Sequence, residues 1–155
     1  MDKTSLSRVA LMHPLLRTEL TNILNEIAQC GVSIRLTQTL RTIQEQNDLY
    51  AIGRTKPGKI VTNAKGGQSY HNYGLACDFC LLHKDGSISW NMHEDLNKDG
   101  IADWMEVVEI FKKYKWEWGG DFLKFADTPH FQKSFGKSIK DLQNCKKDKD
   151  GYPII

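Results

Sequence analysis

Apolar residues set the first outline of this chain. Leu15, Leu16, Leu20, Ile23, Leu24 and Ile27 recur at helical spacing, predicting a helix from about Ser5 to Cys30 that stops at Gly31. VSIRLTQTL, residues 32–40, alternates apolar and polar positions and predicts a strand. Helical composition returns from Thr42 to Ile52, and a Gly-, Lys- and Asn-rich loop follows from Arg54 to Gln68. Leu75–Leu82 is a compact apolar run broken only by Asp78, the pattern of a central strand. A turn at Lys84-Asp85-Gly86 leads to a hairpin partner at Ser87–Trp90. Trp104, Val107, Val108, Phe111 and Tyr114 mark an amphipathic helix, and TPHFQ, residues 128–132, reads as a last strand. The tail from Ser138 is rich in Lys and Asp with a few apolar anchors, and no role is assigned to residues 137–155.

No repeat or linker divides the 155 residues, so one domain over 1–155 is expected. Hydrophobic residues at 40% and charged residues at 26% are ordinary for a globular chain. The net charge of +2 is too mild for a nucleic-acid protein, which usually carries a clustered basic face. It is compatible with approach to an anionic polymer such as a bacterial wall. No apolar run approaches the roughly 20 residues of a membrane span, so no membrane insertion is expected. MDKTSLSRVALMHP carries charges and no apolar core, so no secretory signal is predicted. A wall target then implies release by lysis or through a holin-type pore. A monomer is expected. Of the four cysteines, Cys77 and Cys80 form a C-x-x-C pair, but residues three apart on a strand face opposite sides. Buried thiols are favoured over a chelating pair, and a Cys30–Cys145 disulfide stays open.

Asp78 is the most informative position. A carboxylate inside an apolar strand is costly unless it is paired or binds a metal. His71 lies seven residues earlier, across a turn at Asn72–Gly74, and His130 comes much later in DTPHFQ. Two His and one carboxylate with a position left for water is the donor count of a catalytic zinc site. Spacing alone leaves this open against a core carboxylate paired with Lys or Arg.

A second pattern occupies residues 95–106, DLNKDGIADWME. Asp95, Asn97, Asp99, Ile101, Asp103 and Glu106 stand at positions 1, 3, 5, 7, 9 and 12 of a calcium loop, with Gly100 at the sharp turn. No clear helix enters it, so a single EF-hand-like loop is expected. The alternative is a solvated acidic turn capping a helix. A calcium ion there would relieve carboxylate repulsion and order the start of the next helix, making activity or stability calcium-dependent.

The segment SYHNYGLACD resembles the SxHxxGxAxD motif of LAS metallopeptidases (the M15 peptidases), and DTPHFQ resembles their second motif. RTIQEQNDLYAIGRTKPGKIVTNAKGGQSYHNYGLACDF and WEWGGDFLKFADTPHFQ are most similar to the L-alanyl-D-glutamate endopeptidase branch, which includes phage endolysins. The likeness runs from about Leu15 to Phe135. It implies an α+β fold, a small antiparallel sheet flanked by helices as in the hedgehog-like peptidases. It also implies zinc on His71, Asp78 and His130, a catalytic base at Asp127, a substrate-contacting arginine at Arg41 and local support from Ser69. Glu117, in WEWGGD, is the rival base. Two departures stand out: Cys77 and Cys80 replace apolar or aromatic residues, and TQTLR replaces the usual context of the arginine. The expected substrate is the peptidoglycan stem peptide, cut between L-Ala and D-Glu. A D-alanyl-D-alanine carboxypeptidase or dipeptidase, and a non-catalytic calcium- or wall-binding module, are the alternatives.

Overall fold

The computed structural model describes residues 1–155. Helices α1 (Lys3–Val9) and α2 (Arg17–Gln29) precede strand β1 (Ile34–Gln38) and helix α3 (Ile43–Ala51). A 3-10 turn at Tyr70–Tyr73 leads into β2 (Ala76–Leu82), which is followed by β3 (Ile88–Ser89) and α4 (Asp103–Lys113). Strands β4 (Glu117–Trp118) and β5 (His130–Gln132) flank a second 3-10 turn, Gly119–Asp121, and α5 (Ile139–Asn144) lies in the tail. The fold is α+β: one antiparallel sheet ordered β1-β2-β5-β4, with β3 paired to the end of β2.

The expected single helix from Ser5 to Cys30 is two helices. Proline lacks the N–H and clashes with the preceding turn, so Pro14 ends the first segment and starts a 3-10 turn over Pro14–Leu16. The imidazole of His13 caps that turn through Leu15 N–H. β1 is shorter than the alternation suggested. A register shift between Leu36 and Gln38 interrupts its pairing with β2, which ends at Gln38 opposite Asp78, and Thr39 leaves the ladder with its carbonyl turned to His71. The helix at 42–52 forms as expected, with Thr42 and Glu45 making a capping box.

Strand alternation sorts β2 and β5 into two chemistries. Cys77, Phe79 and Leu81 of β2 and Phe131 of β5 point into the apolar core. Helices α2 and α4 cover that face with Leu20, Ile23, Leu24 and Ile27 and with Trp104, Val107, Val108 and Phe111. The Phe111 and Phe131 rings stack with centroids 3.9 Å apart. Asp78, His130 and Gln132 therefore share the opposite face, and Asp78 stands directly across from His130 in register. Cys77 and Cys80 are buried free thiols, and Cys30 and Cys145 are unbonded as well. Burial pushes the Cys77 thiol well above its ordinary pKa.

The N-terminal helix is tied to the sheet by one carboxylate. Asp2 caps α1 through Ser5 N–H at 3.0 Å and receives Arg35 of β1 through Nε at 3.1 Å and Nη2 at 2.9 Å. The Arg35 bonds outweigh the opposing effect of burial and hold the Asp2 carboxyl at about 2. A depressed folded-state pKa gives stability that is complete above the ordinary carboxylate range and lost as pH falls through about 2. Asp2→Ala is expected to cost about 2 kcal/mol at neutral pH, the sum of a lost cap and a lost charge-assisted pair. Urea unfolding of both proteins across the acid range checks this, and the gap should narrow as the wild-type carboxyl protonates.

The tail, left without a role by its sequence, buttresses the loop that carries His71. Leu142 of α5 is fully buried. Lys137 and Gly67 carbonyls accept from Tyr70 and Gln143 respectively, and Tyr152 reaches the Leu11 carbonyl at 2.8 Å.

Candidate metal centre and cleft

Three side chains converge at the junction of β2, β5 and the Tyr70–Tyr73 turn. One donor atom from each of His71, Asp78 and His130 lies within 4.8 Å of the others. Asp78 Oδ2 is 3.3 Å from His71 Nε2, and Oδ1 is 3.1 Å from His130 Nδ1. The imidazole planes cross at 69° with centroids 5.1 Å apart. Burial opposes ionisation of Asp78, but the two imidazoles win and hold its carboxyl well below the usual range. The same carboxylate outweighs burial to raise His130.

Each histidine has its other nitrogen engaged. His71 Nδ1–H donates to the Thr39 carbonyl at 2.7 Å, which leaves the Nε2 lone pair facing Asp78. His130 Nε2 is 2.8 Å from Gln132 Oε1, and Gln132 Nε2 donates to Glu117 Oε2 at 3.1 Å. Ser69 caps the turn that carries His71, its hydroxyl accepting from His71 N–H at 3.3 Å. These are the partners that orient ligating imidazoles, and the donor set of two imidazole nitrogens and a carboxylate suits zinc.

Asp127 lies beside this group, its Oδ2 3.8 Å from His130 Nδ1. Burial raises its carboxyl pKa, and the Asp78 carboxylate adds to the rise. Its backbone is pinned twice. Asp127 N–H donates to the Gly119 carbonyl at 2.8 Å, and His130 N–H donates to the Asp127 carbonyl at 3.1 Å. The next carbonyl, Thr128 O, accepts from the indoles of Trp104 at 3.3 Å and Trp118 at 2.8 Å. Arg41 closes the opposite wall. Gln46 Oε1 receives its Nη1 at 2.9 Å, and its Nε is buried without a partner. Burial lowers the Arg41 pKa.

Arg41, Ser69, His71, Asp78, Asp127 and His130 line one cavity of about 330 Å³. It opens into a cleft of about 920 Å³ between residues 60–64 and residues 122–127. Phe125, largely exposed, stands at its rim. Glu117 does not line either space; it sits on β4 opposite Gln132 and spends its carboxylate on the Gln132 amide.

Sequence reading missed Gln132, Gln46 and Thr39. Gln132 had a signal, since residue i+2 on a strand shares the face of His130. Gln46 is fully buried on a short helix and links Arg41 to the Ala64 carbonyl at 2.8 Å. Thr39 acts through its backbone, which carries no residue-type signature.

The 95–106 loop lies away from this centre. No helix enters it, and α4 starts at Asp103. Asp95 accepts from Asp99 and Gly100 N–H, Asp99 from Ile101 N–H, and Asp103 Oδ1 from Leu96 N–H. Asn97 Nδ2 donates to Glu106 at 3.1 Å and to the Cys30 carbonyl at 2.9 Å. Asp103 is buried and its Oδ2 has no partner. Burial raises the Asp103 and Glu106 carboxyls, and Asp99 adds to both.

Known proteins place this geometry in a class. A family model described as D-alanyl-D-alanine carboxypeptidase, of the M15 peptidases, matches residues 62–133. The peptidoglycan L-alanyl-D-glutamate endopeptidase CwlK of Bacillus subtilis (strain 168) is 49% identical over 121 residues, covering 78% of this chain and 72% of that protein. The chain belongs to the M15 peptidase family. The L-alanyl-D-glutamate peptidase of Listeria phage A118 is 27% identical over 129 residues, covering 77% of this chain and 40% of its own length. The crystal structure of Serratia marcescens L-Ala D-Glu endopeptidase ChiX matches with a TM-score of 0.60 at 19% identity, over 87% of this chain and 90% of that one. That likeness establishes the fold.

Proposed function

We propose that this chain is a zinc-dependent endopeptidase that cuts the L-Ala–D-Glu bond of peptidoglycan stem peptides. The observation that carries the reading is the His71–Asp78–His130 group, whose imidazole partners leave one lone pair on each ring facing Asp78, with Asp127 and Arg41 on the same cavity. The identity to CwlK supplies the bond. His71 Nε2, Asp78 and His130 Nδ1 would hold the zinc. When bound there, zinc supplies Lewis acidity and makes water a nucleophile near neutral pH.

The protein's own groups do the rest. Asp127 accepts the proton of the attacking water and delivers it to the leaving D-Glu amine, a role suited to a carboxyl raised by burial. We assign this to Asp127 rather than Glu117 because only Asp127 lines the cavity. Arg41 offers charge either to the oxyanion that develops on the L-Ala carbonyl or to the D-Glu carboxylate beside the scissile bond. Gln46 holds it in place. The long cleft from Ile60 to Ala64 suits a chain running past the bond, as an endopeptidase needs. The protein would act on the bacterial wall; no helix is long and apolar enough to cross a membrane.

Digestion of purified peptidoglycan with zinc-loaded protein tests this. New N-terminal D-Glu is expected. Release of D-Ala would make it a carboxypeptidase, and no release would leave a non-catalytic wall-binding module.

We further propose that the 95–106 loop binds calcium. The ligand pattern supports this, and so does the buried, unpartnered Asp103 Oδ2 among carboxyls of raised pKa. Trp104 follows Asp103 in the first turn of α4 and holds Thr128, so ordering that turn would steady the segment carrying Asp127. Saturating calcium is expected to raise the melting temperature by several degrees, about 1–3 kcal/mol by mass action. Identical melting in calcium and in a calcium-selective chelator would refute it.

A further inference from the structure

We propose that Glu117 and Gln132 form a relay that selects which nitrogen of His130 faces the metal; the inference rests on the zinc reading above. A carboxylate only accepts hydrogen bonds. Glu117 Oε2, 3.1 Å away, therefore requires the amide nitrogen of Gln132 on its side. The Gln132 oxygen must then face His130, at 2.8 Å from Nε2. An amide oxygen also only accepts, so His130 Nε2 carries the proton and the Nδ1 lone pair is turned to the ligand group. A surface carboxylate thus sets the tautomer of a buried imidazole through one amide.

The elements hold this relay in register. Glu117 pairs with Gln132 between β4 and β5. Gln132 shares a strand face with His130 and is buried between the two. Neither Glu117 nor Gln132 lines the cavity, so both are positioning residues. The relay differs from the device at His71, where a backbone carbonyl does the same task and no side-chain substitution can invert it.

That difference makes the relay testable by reversing its polarity. In Glu117→Lys the group at 117 only donates. It would draw the Gln132 oxygen toward itself and present the amide N–H to His130 Nε2. That nitrogen would have to accept, placing the proton on Nδ1, where the metal belongs. Adding Gln132→Glu restores an acceptor to both sides. The carboxylate at 132 takes a bond from the lysine and one from His130 Nε2–H.

Zinc affinity, measured by chelator competition, should fall about 10- to 100-fold in Gln132→Leu and at least about tenfold in Glu117→Lys. The double variant E117K/Q132E should recover most of the loss. The double variant also gains a negative charge at 132, beside His130, so recovered affinity alone does not separate the relay from charge; the protonation of His130 Nε2 does. In the zinc-loaded protein, a directly bonded ¹H–¹⁵N signal from His130 Nε2–H should be slow to exchange in wild type and E117K/Q132E. It should be lost or fast-exchanging in Gln132→Leu. Wild-type zinc affinity in both single variants, or no recovery in the double variant, would overturn the relay. Failure of wild type itself to bind zinc would instead overturn the metal reading. Glu117 is exposed on a two-residue strand, so E117K keeps the test alive even if Gln132→Leu does not fold.

Discussion

Asp127→Asn is expected to keep its zinc and lose kcat by about 10³-fold, with KM little changed. The substitution is nearly isosteric. No hydrogen bond within the protein depends on the Asp127 carboxylate, since the segment is held by backbone bonds to Gly119 and His130 and by two indoles on Thr128. Its nearest ionic neighbour, His130 Nδ1 at 3.8 Å, already has Asp78 at 3.1 Å. Removing the charge therefore should not release the metal. What disappears is a proton acceptor at a position open to the cavity. Steady-state kinetics on a stem-peptide substrate and metal analysis on the same preparation check both halves. Activity within a few-fold of wild type would move the base elsewhere, and loss of zinc would make Asp127 a ligand rather than a base.

The same geometry explains why some of the site was legible in sequence and some was not. Asp78 announced itself because a carboxylate in the run LACDFCLL violates the apolar pattern of its own strand. Its need for partners left His71 and His130 open against a Lys or Arg, and only the likeness of SYHNYGLACD and DTPHFQ to the M15 motifs singled them out. The sheet then confirms their closeness through a register, Asp78 across from His130, that no single segment encodes. Strand alternation also made the burial of Cys77 and Cys80 legible. The N-terminal helix was misjudged because apolar spacing continued past Pro14, where the backbone could not. The Thr39 carbonyl and the bulge that frees it are tertiary facts. So is the tail, whose Leu142 joins the core and whose Tyr152 packs against the Met12–Gly74 neighbourhood only once the chain has closed. Glu117 was drawn to the site by its place in WEWGGD, and the structure turns it toward Gln132.

Gly119→Ala should be nearly as damaging as Asp127→Asn, although it adds one methyl group outside the cavity. A Cβ at 119 would stand 2.2 Å from the Asp127 carbonyl oxygen and 3.0 Å from His130 Cβ. The first contact is with backbone, so no rotamer change relieves it. The close approach exists because Gly119 O accepts Asp127 N–H at 2.8 Å, which folds the 3-10 turn onto the segment carrying both Asp127 and His130. Making room means moving that segment by about an ångström or breaking this bond. Displacements of that size cost about 10²-fold in rate when a reacting group must be held in line. Since His130 belongs to the same segment, zinc affinity should weaken as well, unlike the Asp127→Asn case. Overpacking of this kind typically costs about 1–3 kcal/mol, so the variant should remain folded at room temperature with a lowered melting point. Parallel measurement of kcat/KM, zinc affinity and thermal unfolding separates the outcomes. Activity and zinc binding both near wild type would mean the turn and the Asp127 segment can part without consequence, and that their contact does not set the site.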